Sequence, residues 1–168
     1  MLTRRGSRLL PDVFQDAVEL VETVVRDDEL AGAFFGVLNA DLRADLVGDL
    51  DFEATDVGKP LKQARADAVA LARYLEFYGG AADKFHGETI PYLSDYTVYT
   101  LREPHGVTGH IIPWNYPMQI IGRSVVAALA TGNAAVLKPA EEACLTALEF
   151  ARIAAEAGLP AGALNVVP

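Results

Sequence analysis

Residues 106–117 read Gly-Val-Thr-Gly-His-Ile-Ile-Pro-Trp-Asn-Tyr-Pro, and this stretch decides the fold of the chain. Its β-branched apolar residues stop at Pro113, a pattern that predicts a short buried strand ending in a turn. The following residues, 118–130, form an almost unbroken apolar run that predicts a helix. Gly132 and Asn133 come directly after this run and predict the end of that helix.

The rest of the C-terminal part continues the alternation of strand and helix. The predicted elements are, in order, an apolar strand over residues 134–137, a helix from residues 141–143 to Gly158, and a strand over residues 164–167. Strand, helix, strand, helix, strand is the order of the first half of a doubly wound parallel sheet. Because ligands bind beyond the carboxyl ends of the strands in such sheets, we expect a site near Trp114, Asn115 and Lys138.

The first half of the sequence predicts mainly helices. Apolar residues at helical spacing predict an amphipathic helix over residues 13–26 and a second one over residues 61–78, ended by the glycines at 79–80. The spacing over residues 30–50 fits a helix, but three glycines leave this segment ambiguous. Aromatic and β-branched residues alternate with polar ones over residues 90–102, which predicts an exposed strand or hairpin.

Composition excludes several classes of protein. With 51% hydrophobic and 22% charged residues, the chain has a globular composition. A net charge of -9 argues against a nucleic-acid partner, which would need basic patches. The sequence has neither an apolar run long enough to span a bilayer nor the pattern of a secretory signal. Its single cysteine, Cys144, excludes an internal disulfide, and we expect a cytoplasmic location.

Four motifs in order resemble the NAD(P)-dependent aldehyde dehydrogenase superfamily. They are Ile-Pro-Trp-Asn-Tyr-Pro at residues 112–117, Ala-Leu-Ala-Thr-Gly-Asn at 128–133, Val-Leu-Lys-Pro-Ala-Glu at 136–141, and Glu-Ala-Gly-Leu-Pro at 156–160 through Leu-Asn-Val-Val-Pro at 164–168. An earlier block, Asp-Val-Gly-Lys-Pro at 56–60 and then residues 78–84, is also similar to the family. Four ordered motifs are far more specific than one glycine pattern.

The resemblance implies an α/β fold with three parts in this chain. Residues 1–89 form a helical N-terminal part of the cofactor domain, and residues 90–104 form a bridging strand or hairpin through which subunits associate. Residues 105–168 form the first half of a Rossmann-like NAD(P)-binding sheet. The catalytic domain of the family is absent from this chain, so the sheet is truncated and the cofactor site is incomplete.

The resemblance also implies a role for Asn115. An aldehyde attacked by a thiolate develops negative charge on its oxygen, and an amide donor beside that oxygen stabilises the transition state by on the order of 3 kcal/mol. The matching asparagine of the family is such an oxyanion donor. The alternative is that Asn115 only serves the turn between strand and helix.

Five residues are expected to contact the cofactor. The resemblance assigns Ile111, Pro113 and Trp114 to the wall of the cofactor cleft. Lys138 is predicted at a strand end, where its ammonium can bond the adenosine ribose or a 2′-phosphate, and Glu141 can accept from the ribose hydroxyls. A carboxylate repels the extra phosphate of NADP, so NAD is the expected cofactor. The alternatives are a solvent-exposed strand end for Lys138 and a helix N-terminal acid for Glu141.

Other reactive residue types carry no predicted chemistry. Cys144 lies in a helical pattern and is expected to be a small, buried or half-buried residue, because the nucleophile of the family belongs to a motif further downstream. His86, His105 and His110 lack the spacing of metal ligands, so we expect structural roles and no metal site.

The resemblance therefore implies the N-terminal part of an aldehyde dehydrogenase. The full-length enzyme would oxidise an aldehyde substrate to a carboxylic acid with NAD(P), and it is expected to be a homo-oligomer. This chain has neither the cysteine nor the glutamate motif of the reaction, so alone it should be inactive. The alternative is a non-catalytic nucleotide-binding or protein-interaction module derived from the same fold.

Overall fold

The computed structural model describes residues 52–168, and the helices predicted over residues 13–26 and 30–50 lie outside this range. The elements before the parallel sheet are helix α1 (Phe52–Val57), helix α2 (Leu61–Ala81), a 3₁₀ turn (Ala82–Lys84), strand β1 (Thr89–Ile90) and strand β2 (Val98–Tyr99). The remaining elements are strand β3 (Val107–Ile111), helix α3 (Pro117–Ile120), a π-helical turn (Ile121–Val125), helix α4 (Val126–Ala130), strand β4 (Ala134–Lys138), helix α5 (Leu145–Glu156) and strand β5 (Leu164–Val166).

Strands β3, β4 and β5 form a parallel sheet in that order, which confirms the predicted β-α-β-α-β arrangement. The register pairs Val107 with Ala134 at one end and Ile111 with Lys138 at the other. Parallel pairing requires a crossover between neighbouring strands, and the helical stretch over residues 117–130 and α5 supply the two crossovers. The carboxyl ends of β3 and β4 therefore leave the sheet side by side.

The hydrophobic core lies between this sheet and the helices. Leu137 of β4 and Phe150 of α5 are almost completely buried, as are Leu71 and Leu75 of α2. The stripe of apolar residues predicted on α2 thus faces the core, and all four residues belong to one cluster with the crossover helices. Burying one such side chain contributes roughly 1.5–3 kcal/mol, so this cluster holds α2 against the first crossover, residues 117–130.

The apolar run over residues 118–130 is helical as predicted, but its middle turn is a π-helix over Ile121–Val125. Gly122 lies in this turn and is buried against the ring of Tyr74 from α2. A Cβ at Gly122 would stand 2.6 Å from Cδ2 of Tyr74, which is closer than two carbon atoms can approach. Glycine therefore permits the close approach of α2 to the first crossover.

Two predicted helix boundaries are wrong. Helix α2 does not end at the glycines at 79–80 but continues to Ala81, where the 3₁₀ turn follows, and Tyr78 just before them packs against the core. The last helix begins at Leu145 rather than at residues 141–143, which form a turn. The carboxylate of Asp56 accepts the N–H of Leu145 at 2.9 Å and so caps the helix there.

Strands β1 and β2 form a two-stranded antiparallel hairpin, as the alternation over residues 90–102 predicts. The hairpin pairs Thr89 with Tyr99 and Ile90 with Val98. Its large apolar side chains remain exposed: Tyr92, Leu93, Tyr96, Tyr99 and Leu101. Within residues 52–168, none of the helices combines the length and the hydropathy needed to cross a membrane.

Candidate active site

The predicted site residues gather at the carboxyl ends of β3 and β4. Ile111 and Lys138 are the last residues of their strands and are direct register partners. The N–H of Ile112, one residue beyond β3, donates to the carbonyl oxygen of Lys138 at 3.0 Å. The segments that carry Asn115 and Glu141 consequently start from neighbouring points of the same sheet edge.

Asn115 lies in the short connection between β3 and α3 and is exposed. Within residues 52–168 its side-chain amide makes no hydrogen bond, so both N–H donors are available to a ligand. The connection is short because Pro113 follows the last buried residue of the strand region, Ile112, and Pro117 occupies the first position of α3. Proline at both ends restricts the backbone around Asn115.

An exposed apolar surface adjoins the amide. The side chain of Ile111 is 88% exposed and that of Trp114 is 59% exposed, and Pro113 between them is exposed as well. Strand β3 is not buried as predicted, because each of its residues is half-buried or exposed. Large apolar side chains exposed at its end are the kind of surface that marks a ligand site.

Lys138 and Glu141 supply the charged groups of the site. Lys138 is half-buried, and its ammonium donates to the carbonyl oxygen of Pro139 at 2.7 Å, which leaves two of its three N–H donors for other partners. Glu141 is exposed in the turn that precedes α5. An ammonium donor, a carboxylate acceptor and an apolar wall are groups that can bind a dinucleotide, so the residues present fit an NAD-type cofactor.

A buried ionic cluster contacts the connection between β3 and α3 (residues 112–116, the Asn115 segment) and the start of α3. The sequence analysis did not predict this cluster. Lys59 bonds the carboxylate of Glu53 at 2.8 Å and that of Asp67 at 2.5 Å, and both carboxylates are completely buried. One signal was available: Asp67 lies on the buried stripe of α2, between Ala64 and Leu71. A carboxylate at such a position requires a charged or hydrogen-bonding partner.

The cluster shifts the pKa values of its three members. Burial raises the pKa of the Glu53 carboxyl above its ordinary value, despite the hydrogen bonds from Lys59 and from the N–H of Met118. Burial acts on Asp67 in the same direction, but hydrogen bonds from Lys59 and two glutamines outweigh it and lower its pKa. Burial alone would lower the pKa of Lys59, whereas its two carboxylate partners raise it. The pKa shifts of Lys59 and Asp67 thus favour their charged forms, and Lys59 bonds both carboxylates.

Comparison with known proteins decides the family. The family model described as "Aldehyde dehydrogenase family" matches residues 44–168, which is most of the chain. The chain belongs to the aldehyde dehydrogenase family. Hydroxyisobutyraldehyde dehydrogenase from Mycolicibacterium austroafricanum is 50% identical to it over 115 residues, which make up 68% of this chain and 23% of that protein.

Solved structures of aldehyde dehydrogenases carry the same fold. A crystal structure from Burkholderia cenocepacia, described as a candidate aldehyde dehydrogenase, is 57% identical, has a TM-score of 0.81, and is matched over 94% of this chain and 34% of that one. Betaine aldehyde dehydrogenase from Staphylococcus aureus in complex with NAD⁺ is 28% identical, with a TM-score of 0.84 over 92% of this chain and 32% of that one. The chain thus spans about a quarter to a third of the length of these relatives.

The cysteine and histidines of this aldehyde dehydrogenase chain make no hydrogen bond to the Asn115 amide within residues 52–168. Cys144 is half-buried as predicted, although it precedes α5 rather than lying within it. His86 and His105 are exposed. His110 is half-buried in β3, 2.9 Å from the hydroxyl oxygen of Thr108, and burial lowers its pKa.

Proposed function

We propose that this chain forms the Asn115-bearing and adenosine-binding part of an NAD-dependent aldehyde dehydrogenase. The full-length enzyme would oxidise an aldehyde to a carboxylic acid. One observation carries the proposal: the free amide of Asn115 and the ammonium of Lys138 lie beyond adjacent carboxyl ends of one parallel sheet. This is the edge of a doubly wound sheet at which ligands bind.

In the proposed reaction Asn115 donates an N–H to the aldehyde oxygen. When a thiolate adds to the carbonyl carbon, the C=O double bond becomes a single bond and its oxygen becomes an anion. A donor already directed at that oxygen stabilises the anion without reorganisation, and the loss of one such donor costs about 10²–10³ in rate. The exposed and unpaired amide of Asn115 supports this assignment.

We propose that Lys138 and Glu141 hold the adenosine ribose of NAD and that Ile111, Pro113 and Trp114 form the cleft wall. When bound, the nicotinamide cofactor supplies the oxidising equivalent of the reaction. Within this chain, Lys138 offers two free N–H donors and Glu141 offers an exposed carboxylate as acceptor. The same carboxylate would repel a 2′-phosphate, which favours NAD over NADP.

The attacking thiolate would come from residues outside this chain. Cys144 is the single cysteine of the sequence, and it is half-buried next to the start of α5, on the crossover between β4 and β5. We therefore expect the isolated chain to bind NAD weakly and to oxidise no aldehyde. A thiol kept reduced for catalysis also favours a cytoplasmic location.

The hairpin of β1 and β2 suggests association between subunits of the enzyme. Tyr96, Tyr99 and Leu101 are each more than 60% exposed, and contiguous apolar surface of this kind marks interfaces. If this association occurs without any catalysis, the chain would instead be a nucleotide-binding or protein-interaction module, which is the second candidate function.

Two measurements test the proposed function. The first is calorimetric titration of the 168-residue chain with NAD, with Lys138→Ala as the matched variant that lacks the ribose donor. The second uses a fusion enzyme, in which this chain replaces the matching N-terminal part of the M. austroafricanum hydroxyisobutyraldehyde dehydrogenase, assayed for NADH formation with hydroxyisobutyraldehyde.

We expect NAD binding that Lys138→Ala weakens, no turnover by the chain alone, and turnover by the fusion enzyme that requires Asn115. Binding by the chain together with a fusion enzyme insensitive to Asn115→Ala would favour the module. Turnover by the chain alone would contradict the proposal that the thiol lies elsewhere.

A further inference from the structure

We propose that the buried cluster of Lys59, Glu53 and Asp67 positions the segment that carries Asn115. This inference rests on the proposed function, because it concerns the placement of the oxyanion donor. The Asp-Val-Gly-Lys-Pro block at residues 56–60 matches the family; its Asp56 caps α5, and its Lys59 belongs to the cluster. The ammonium of Lys59 contacts Glu53, Asp67 and the ring of Tyr116, which is the last residue of the segment between β3 and α3.

The first contact is made by Glu53 at the start of the crossover helix. One carboxylate oxygen of Glu53 accepts the N–H of Met118 at 2.9 Å, while the other accepts from Lys59 at 2.8 Å. Met118 is the second residue of α3, so its N–H has no partner within the helix. Glu53 therefore fixes the backbone three residues after Asn115 and connects it to the ion pair.

The second contact is made by Lys59 with the neighbour of Asn115. The ammonium of Lys59 lies 4.4 Å from the centroid of the Tyr116 ring, within the range of a cation–π interaction. Its side chain is only 9% exposed, so the ammonium is largely shielded from water. Cation–π interactions are strongest in such a shielded environment. Tyr116, the residue that follows Asn115, is thus held by its contact with Lys59.

The third contact is made by Asp67 with the first turn after the segment. One carboxylate oxygen accepts from Gln119 at 2.6 Å and from Gln63 at 2.8 Å, and the other accepts from Lys59. Three of the four residues after Asn115, at positions 116, 118 and 119, are consequently tied to one cluster, whereas the Asn115 amide itself stays free. This is the arrangement that a preorganised donor requires.

The mobility and exposure of the residue next to Asn115 can be measured by fluorescence, because Trp114 is the single tryptophan of the chain. In the 168-residue chain we would measure the fluorescence anisotropy of Trp114 and its quenching by acrylamide for Lys59→Met and Lys59→Arg. Asp56→Ala serves as the matched control, since Asp56 caps α5 with a comparable carboxylate bond but does not contact the Asn115 segment. Circular dichroism verifies that each variant is folded.

We expect Lys59→Met to lower the anisotropy and to increase quenching, Lys59→Arg to restore both, and Asp56→Ala to leave both unchanged. A folded Lys59→Met chain with the anisotropy and quenching of the original would overturn the proposal. Should Lys59→Met fail to fold, Glu53→Gln removes the charge while retaining an oxygen for Met118. In that variant a partial loss of anisotropy supports the proposal, and no change overturns it.

The fusion enzyme separates positioning from a merely structural role. We expect Lys59→Met to lower kcat by on the order of 10- to 100-fold, because small displacements of catalytic groups cost this much, while the KM for NAD stays constant. Lys59→Arg should recover most of kcat. A joint change of kcat and the KM for NAD would contradict positioning. An inactive parent fusion would count against the proposed function, and Trp114 fluorescence would still decide the role of the cluster.

Discussion

At the scale of single residues, the oxyanion assignment depends on the hydrogen-bond donors of Asn115. Replacing it by Asp keeps the size of the side chain but removes both N–H donors, and it places a negative charge next to the developing anion. In the fusion enzyme we expect Asn115→Asp and Asn115→Ala to lower kcat by about 10²–10³-fold, or roughly 3 kcal/mol, as for other single oxyanion donors.

The control for this prediction is NAD affinity, which the Asn115 variants should leave unchanged because the proposed ribose contacts, Lys138 and Glu141, lie at and beyond the end of the next strand. Single-turnover kinetics would separate the chemical step from product release. A wild-type chemical rate in Asn115→Ala would leave this asparagine with only the role of a turn residue.

His110 gives a pH dependence whose sign follows from its surroundings. The hydroxyl of Thr108 donates its one proton to the carbonyl of Ala134 at 2.9 Å, so its oxygen accepts from Nε2–H of His110. Burial lowers the pKa of His110 below its ordinary value of 6.5. The unfolded chain therefore binds a proton more tightly than the folded chain, and this part of the stability is present above pH 6.5.

We expect the free energy of unfolding to decline as pH falls from 6.5 through the lower folded-state pKa of His110. The measurement is urea denaturation of the chain at successive pH values. His110→Gln should remove that component, and His105→Gln is the matched control because His105 is exposed. An equal pH profile in His110→Gln and the parent would refute the prediction.

At the scale of helices and strands, the close approach of α2 to the π-helical turn depends on the absence of a side chain at Gly122. A methyl group there would collide with the Tyr74 ring at 2.6 Å, and forced overpacking of this kind costs typically 1–3 kcal/mol. We expect Gly122→Ala to lower the free energy of unfolding by about this amount. The matched control is Gly80→Ala in α2, which has open space around the new methyl group.

Because alanine is the better helix former, Gly80→Ala should raise stability by up to about 1 kcal/mol. Denaturant titration of both variants gives the comparison. If Gly122→Ala were as stable as the parent, the approach of α2 to the crossover would have to tolerate more movement than its packing suggests.

The exposed hairpin predicts association in the fusion enzyme. Tyr99 and Leu101 are two residues apart, so in an extended strand their side chains lie on the same face. We expect the double variant Tyr99→Lys, Leu101→Lys of the fusion enzyme to have a lower molar mass by light scattering than its parent. Burying two lysine charges would destabilise an apolar interface between subunits. Phe77→Lys is the control, since Phe77 is equally exposed but lies on α2. An unchanged mass would assign the subunit interface to another surface.

At the scale of the whole molecule, the sequence predicted what depends on local pattern. The three parallel strands and their crossovers follow from apolar runs and glycine stops, and the positions of Ile111, Asn115 and Lys138 at one edge follow from that order. The start of α5 was predicted too early because its cap comes from Asp56, which is 89 residues away.

The ionic cluster was missed for the same physical reason. Glu53 and Met118 are 65 residues apart, and no periodicity within either segment encodes their contact. The close approach of Gly122 to the ring of Tyr74 likewise joins two distant segments. Local pattern therefore determines which elements form, whereas contacts between distant segments determine where each element begins and how the site is held.

The whole chain should report NAD binding through its stability, because a ligand that binds only the folded state stabilises it. At a concentration one hundred times Kd this amounts to about 2.7 kcal/mol, which a thermal melt detects. We expect NAD to raise Tm more than NADP does, because Glu141 is exposed beside the proposed ribose site and repels a 2′-phosphate. Glu141→Gln should bring the two shifts together by removing the repulsion, while Glu142→Gln, its exposed neighbour, should preserve the difference. If NADP stabilised the parent chain as strongly as NAD, the preference would have to arise from residues other than Glu141.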